Sequence, residues 1–360
     1  MKKLQPIYLF LFVSFLTSQS CTDAIRQSFE AVPVALGMTS EIIVIADNEA
    51  WEGEVGDSIR FYYGGPYPIL PQPEPMYDLR HFTMEELNAE ELRKELRTYM
   101  IVSDLSDDSS LTTQFVKKDL GEEKVRQAME DPAFFSVTGR EKWAQGQLVI
   151  YIFGKDETAL KSNLVKSFTA VAKRVNKHDQ KQLAASVYMD GESYQLASLI
   201  KEKFGFEMRI PGSYKLALEK PNFIWMRSDT REITSSIMIT TLPYTSQSIF
   251  TKEKMISIQD SLGSRYISSS ILGSYVRTND VDLPVFVYDK KIDGQYAIEG
   301  RGIWEMKNDF LGGPFSSYLI LDQSRNRVIF VEGFIYAPSK NKRVFIQAIE
   351  HIVNTISIPG

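Results

Sequence analysis

The chain has 360 residues, 43% hydrophobic and 24% charged, a balance that excludes an intrinsically disordered polymer. Its formal charge is −5 and it has no long basic block, so the electrostatic footprint of a nucleic-acid binder is missing. One cysteine excludes an intramolecular disulfide and a thiolate zinc site.

That cysteine, Cys21, closes the opening segment. Lys2 and Lys3 make a positive start, "LQPIYLFLFVSFL" follows, and "TSQS" precedes the cysteine. The apolar run is shorter than the roughly 20 residues a membrane-spanning helix needs. A charged start, a short apolar run and small residues before a cut site describe an export signal over 1–20. Cys21 stands where a lipoprotein signal peptidase leaves a new amino terminus, although Gln19 departs from the usual small or aliphatic residue. A cysteine without a partner fits a thioether to diacylglycerol, with two or three fatty-acyl chains as anchor at roughly 0.8 kcal/mol per buried CH₂. The expectation is a protein lipid-anchored to the outer or inner membrane. With Asp23 the one acid directly after the cysteine, the periplasmic face is favoured.

Residues 21–39 read as a tether and 40–176 as an N-terminal α/β domain. Strand 41–46 comes first, then turn chemistry at Asp47 and Asn48. Next is a helix carrying Val55, Ile59 and Tyr62 or Tyr63, stopped by Gly64 and Gly65. Residues 64–79 carry five prolines and predict an extended, semi-rigid loop. "DLRHFTMEEL" reads as a strand, 88–97 as a helix capped by Asn88, and "TYMIVSDL" as a strand. A helix is expected over 114–130, ended by Pro132, and a fully covered strand over 147–154. Leu160, Leu164, Phe168, Val171 and Val175 stripe a helix over 156–176. Residues 177–204 read as a helical connector.

The second half, 205–360, reads as an antiparallel α+β domain. "FEMRIPGSYKLALEKPNFIWMRSDT" suggests three strands joined by turns, and "SSIMITTLPY" a fourth. A helix begins at Thr251. Strands follow around Phe286, over 296–304, 317–321 and 328–335, with Gly312, Gly313 and Pro314 as a turn. The closing helix has Phe345, Ile349, Ile352 and Ile356 on its apolar face. The fold class is therefore α+β, two α/β-type halves with antiparallel-rich sheets and helices packed on them.

Two stretches, "GEVGDSIRFYYGGPYPILPQPEPMYDL" and "GRGIWEMKNDFLGGPFSSYLILDQSRNRVIFVEGFIYAP", resemble a lipoprotein family of Bacteroidota, one of the domain-of-unknown-function families. That resemblance implies export and lipidation and carries no activity. "FGFEMRIPGSYKL", "NFIWMRSD" and the closing helix resemble the Mog1/PsbP-like α/β/α sandwich. It implies an accessory or binding module, by fold analogy alone.

His81, His178 and His351 form no HExxH pair, and there is neither a GxSxG elbow nor a phosphate loop with its lysine. The acidic run 104–110 lacks the glycine and terminal glutamate of a calcium hand and reads as a solvated turn. No metal site or cofactor is expected. The proline loop is the first interaction candidate, through Tyr63, Tyr67, Tyr77 and the adjacent His81, because aromatics on a stiff segment bind peptides or sugars at low entropic cost. A loop packed on its own domain explains the same residues. The second candidate is 301–315, with Arg301, Trp304 and Glu305, where Glu299 could join. The expected function is an exported envelope module that binds without catalysis, with an envelope protein as partner and an unspecified small-molecule ligand. The alternative is a carboxylate-dependent envelope hydrolase, since paired Asp and Glu can do acid–base work alone.

Overall fold

The computed structural model describes residues 32–359. The export segment and Cys21 lie outside the described residues. The chain forms two compact units.

The first unit comprises 32–38, Ile42–Glu49 and Arg80–Leu160. Its sheet contains β1 (Glu41–Ile45), β2 (Asp78–Phe82), β3 (Thr98–Asp104), β4 (Ser136–Arg140) and β5 (Leu148–Gly154), in the order β2-β1-β3-β5-β4. β3 runs parallel to β1 and β5, and β4 closes the edge antiparallel to β5. β1 and β5 are buried along their whole length, as near-continuous apolar strands require. Ile43, Tyr99, Ile101, Val149 and Phe153 meet Met84, Leu87, Val116 and Leu120 from helices on one face. Val34 and Leu36 make bridges to Gln145 and Leu96, so the last part of the expected tether is held to this unit by backbone bonds.

Three local readings change here. The strand around 78–87 ends at Phe82. Thr83 then caps a helix, Met84–Ala89: its hydroxyl accepts from the Glu86 N–H, and the Glu86 carboxylate accepts from the Thr83 N–H at 2.9 Å. This reciprocal box starts the helix before Asn88, which lies exposed inside it and caps nothing. The helix expected over 114–130 is two helices, Leu111–Leu120 and Glu122–Glu130, because Gly121 at φ 78° breaks the run. The helix expected to end at Asn176 continues, Glu157–Val187, since 177–187 contain neither proline nor glycine.

The second unit comprises Thr39–Glu41, Ala50–Leu79 and the chain from Lys161 onward. Its sheet contains β6 (Lys215–Lys220), β7 (Phe223–Asp229), β8 (Thr234–Pro243), β9 (Tyr275–Asn279), β10 (Phe286–Ile292), β11 (Gln295–Lys307), β12 (Gly312–Asp322) and β13 (Arg327–Tyr336). The order is β10-β11-β12-β13-β8-β7-β6, and β9 pairs with the far end of β11. Side chains alternate between faces with period two. Ile237, Ile239, Ile320, Ile329 and Val331 pack with Ile200, Phe204, Ile346 and Ile349 of helices Tyr194–Phe204 and Arg343–Val353. Ile298, Leu319, Val328 and Phe330 pack with Met255 of helix Lys252–Tyr266 on the other face. The architecture is α+β, with helices on both faces of an antiparallel sheet.

Residues 206–210 bury Phe206, Met208 and Ile210 in strand-like alternation, yet the chain there forms only bridges, Glu207 to Ser357 and Glu192 to Pro211. Pro211 supplies no N–H for a ladder. The expected turn at Gly312–Pro314 is instead the start of β12. Glycine is needed at 313 for close approach: a Cβ there would lie 1.9 Å from the Ile335 carbonyl oxygen.

A polar cavity on the second unit's sheet

The apolar packing between helix Arg343–Val353 and the sheet gives way to polar residues beside β10. Antiparallel register places Glu299 opposite Tyr318 and Arg301 opposite Ser316. All four side chains share the helix-facing surface with Ala297 and Ile320. From the helix, Gln347, Glu350, His351 and Asn354 line the wall at helical spacing.

Tyr67 arrives from the proline loop. That loop closes on itself through Tyr67 N–H to the Glu74 carbonyl and Met76 N–H to the Gly65 carbonyl, both 2.7 Å. The buried Glu74 carboxylate accepts from the N–H groups of Lys342 at 2.6 Å and Arg343 at 2.9 Å, at the start of the closing helix. An anion on the first N–H groups of a helix satisfies donors that have no intrahelical partner. The loop and the helix are thereby fixed to each other, and Tyr67 with them.

Arg301 is the hub. Its Nη2 lies 2.8 Å from Glu299 Oε1 and 2.7 Å from Glu350 Oε1, and its Nη1 donates to the Tyr67 hydroxyl at 3.3 Å. Tyr67 donates to Glu350 at 3.0 Å. Glu299, 1% exposed, also receives Ser316 and Tyr318 hydroxyls at 3.1 Å and Lys290 at 2.9 Å. The two carboxylates touch one nitrogen, so their Oε1 atoms lie within about 5.5 Å of each other.

The two acids are driven apart. Burial opposes ionisation of Glu299, but Arg301 and Lys290 outweigh it and hold the carboxyl below its ordinary range. Burial dominates at Glu350 and raises its pKa, with Arg301 only partly offsetting the rise. Burial also works against the Arg301 charge, but Glu350, Tyr67 and Glu299 more than compensate and raise its pKa. The Tyr67 hydroxyl is pushed up by burial and by Glu350. Above this network lies a cavity of about 290 Å³.

The sequence-derived candidates separate. Tyr67 and Arg301 meet. Tyr63 and Tyr77 are buried and turned to the long helix, their hydroxyls on Ser167 at 3.1 Å and Asn176 Oδ1 at 3.0 Å. Both side chains thus pack the loop on its own unit, away from the cavity. His81 belongs to the first unit, its Nε2 2.9 Å from the Ala46 carbonyl oxygen. Trp304 is 4% exposed and donates to the Ile335 carbonyl at 3.1 Å, so it is core and not wall. Glu305 shares a strand face with Arg301 but lies four residues on, about 13 Å along the strand. There it pairs with Arg277 and Asn279 of β9.

Glu350, Lys290, Gln347 and His351 join the wall without standing out in the sequence as binding residues. A signal existed: Gln347, Glu350 or His351, and Asn354 form a polar stripe beside the apolar stripe of the closing helix.

Two family models match the chain. Residues 35–188 match a domain of unknown function (DUF8532), and residues 193–355 match a second domain of unknown function (DUF4837). No curated protein matches. Among solved structures, the chain is similar to the Saccharomyces cerevisiae Ran-binding protein Mog1p at 10% identity, covering 43% of this chain and 92% of that one, with a TM-score of 0.27. It is also similar to LpqN of Mycobacterium tuberculosis, described as involved in cell envelope biogenesis, at 12% identity, 43% and 83% coverage, and a TM-score of 0.26.

Proposed function

We propose that the protein is an exported cell-envelope protein, lipid-anchored through Cys21, that acts as a non-catalytic binding or accessory module and uses the cavity over Arg301 as its binding site. The observation that carries the binding reading is the closed charge network: Arg301, Glu299, Glu350 and Lys290 are bonded to one another, which suits a rigid, preorganised floor. The reading of the opening segment rests on its charged start, short apolar run and lone cysteine, and periplasmic exposure goes with it.

Two measurements test this. Cys21→Ala releases the protein from the membrane fraction of its host; a variant that still pellets like the parent removes the anchor. Incubation of the purified protein with peptidoglycan and envelope polysaccharide yields no soluble products. Product release that disappears in Glu350→Gln overturns the non-catalytic reading.

That second outcome would install the hydrolase alternative, which one observation favours. Glu350 and Glu299 are a carboxyl pair within about 5.5 Å whose environments push one pKa up and the other down. Two carboxyl groups whose environments push their pKa values apart are the arrangement of retaining glycosidases, whose carboxyl groups stand about 5–5.5 Å apart.

A further inference from the structure

We infer that the cavity takes a neutral, hydroxyl-rich ligand the size of one sugar ring; this rests on the binding reading and specifies its chemistry. The argument starts from charge. Each ionic group of the wall already has an internal partner: Arg301 holds Glu299 and Glu350, Lys290 holds Glu299, and Asp179 accepts from the Ser40 N–H at 2.7 Å. A charged ligand that pairs with Arg301, Glu350 or Lys290 competes with one of these ion pairs and leaves a partly buried group short of its counter-charge. A neutral ligand displaces nothing.

What remains of the wall is neutral as well. His351 Nδ1 lies 3.1 Å from Gln180 Oε1, which can only accept, so Nδ1 carries the proton. Burial first, and Arg209 second, lower the His351 pKa, so the imidazole is uncharged at neutral pH. Asn176 accepts the Tyr77 hydroxyl through Oδ1, which turns its amide NH₂ into a donor for a ligand. Gln180 and Asn354 are exposed amides on the rim, beside the hydroxyl of Thr39. Vicinal hydroxyls, each donor and acceptor, match such a mixed set of neutral groups.

Size and shape narrow the class. At about 290 Å³ the cavity sits at the lower edge of small-molecule pockets, room for one ring and not for a chain. Pro68, Met76 and Leu183 give an apolar wall for the C–H face of such a ring. One face of Tyr67 is covered by the Arg301 guanidinium, 5.7 Å from the ring centroid, which disfavours a planar base that binds by stacking.

The test uses the full chain and four sugars of one ring size: glucose and N-acetylglucosamine, both neutral, glucuronate and glucosamine. Saturation-transfer NMR and calorimetric titration read binding. The expected result is saturable binding of the neutral pair, at least tenfold weaker binding of the charged pair, and at least a tenfold loss for the neutral pair in Gln180→Leu and Asn354→Leu. Both substituted side chains are exposed, and their thermal melts check folding. A charged sugar that binds as well as glucose and is weakened by Gln180→Leu overturns the ligand class and leaves the binding reading standing. Neutral sugars that bind equally to the parent and both variants lie elsewhere, and overturn the site. Absence of binding by all four overturns the inference and leaves untouched the non-catalytic reading, which the polymer-cleavage assay above judges separately.

Discussion

Arg301 Nη2 and Glu350 Oε1 meet at 2.7 Å and tie strand β11 to the closing helix at the floor of the cavity. The same guanidinium holds Glu299, so removing it leaves Glu350 without a cation and Glu299 with Lys290 alone. Arg301→Met is expected to cost about 3–5 kcal/mol, the usual consequence of leaving a buried charge without its partner. Urea denaturation measures it. In the double variant with Glu350→Gln the loss is smaller than the sum of the single losses, because the two residues share one interaction. Additive losses would mean that the pair is not coupled.

Glu332 gives the pH prediction. Its side chain is fully buried on the opposite sheet face, with Oε2 accepting from Ser317 at 3.0 Å. Burial, opposed by that bond and aided by Asp260, pushes its pKa from 4.5 up to about 8. The folded state therefore holds its proton more tightly than the unfolded chain. Stability from this residue is intact below pH 4.5, falls as pH rises, and reaches its full deficit above pH 8. Glu332→Gln should flatten that decline and stabilise the protein at pH 9 by up to about 5 kcal/mol, with little effect at pH 4. Glu299 has the opposite sign: its lowered pKa adds stability above the ordinary carboxyl range, lost as pH falls. Chemical denaturation at pH 4, 7 and 9 separates the two.

Gly313→Ala tests the close approach of β12 and β13. The added methyl would overlap the Ile335 carbonyl oxygen, a backbone atom that cannot rotate away. A loss of about 1–3 kcal/mol or more is expected. The Trp304 N–H, bonded to that same carbonyl, should report the shift in near-ultraviolet circular dichroism.

Thr83→Ala removes the hydroxyl half of the capping box and should cost about 1 kcal/mol. Asn88→Ala should leave stability unchanged or slightly raised, since Asn88 is exposed inside the helix and alanine is the better helix former. Equal losses at both positions would contradict the observed start of this helix.

Much of the fold is legible locally. The stripe Leu160, Leu164, Val171 and Val175 is buried in one helix, and Thr251 caps its helix by accepting from the Lys254 N–H. Where the local reading slipped, another local signal competed with it. Thr83 with Glu86 overrode Asn88, Gly121 overrode a continuous helical pattern, and the apparent turn at Gly312–Pro314 was a strand in which glycine served packing. The candidate site was half legible. Tyr67 and Arg301 stood out by residue type, but nothing local distinguished Tyr67 from Tyr63 and Tyr77, which are buried in the same loop region.

By itself the sequence determined periodicity, caps, turns and the stiffness of the proline loop, because these depend on neighbours a few residues apart. It also carried the lone cysteine behind a short apolar run. Only the tertiary structure decided which polar residues share a surface: Tyr67 and Glu350 are 283 positions apart, Tyr67 and Arg301 234. Their meeting depends on strand register and on how one helix docks on eight strands. Both are set by long-range burial, which no short window of sequence contains.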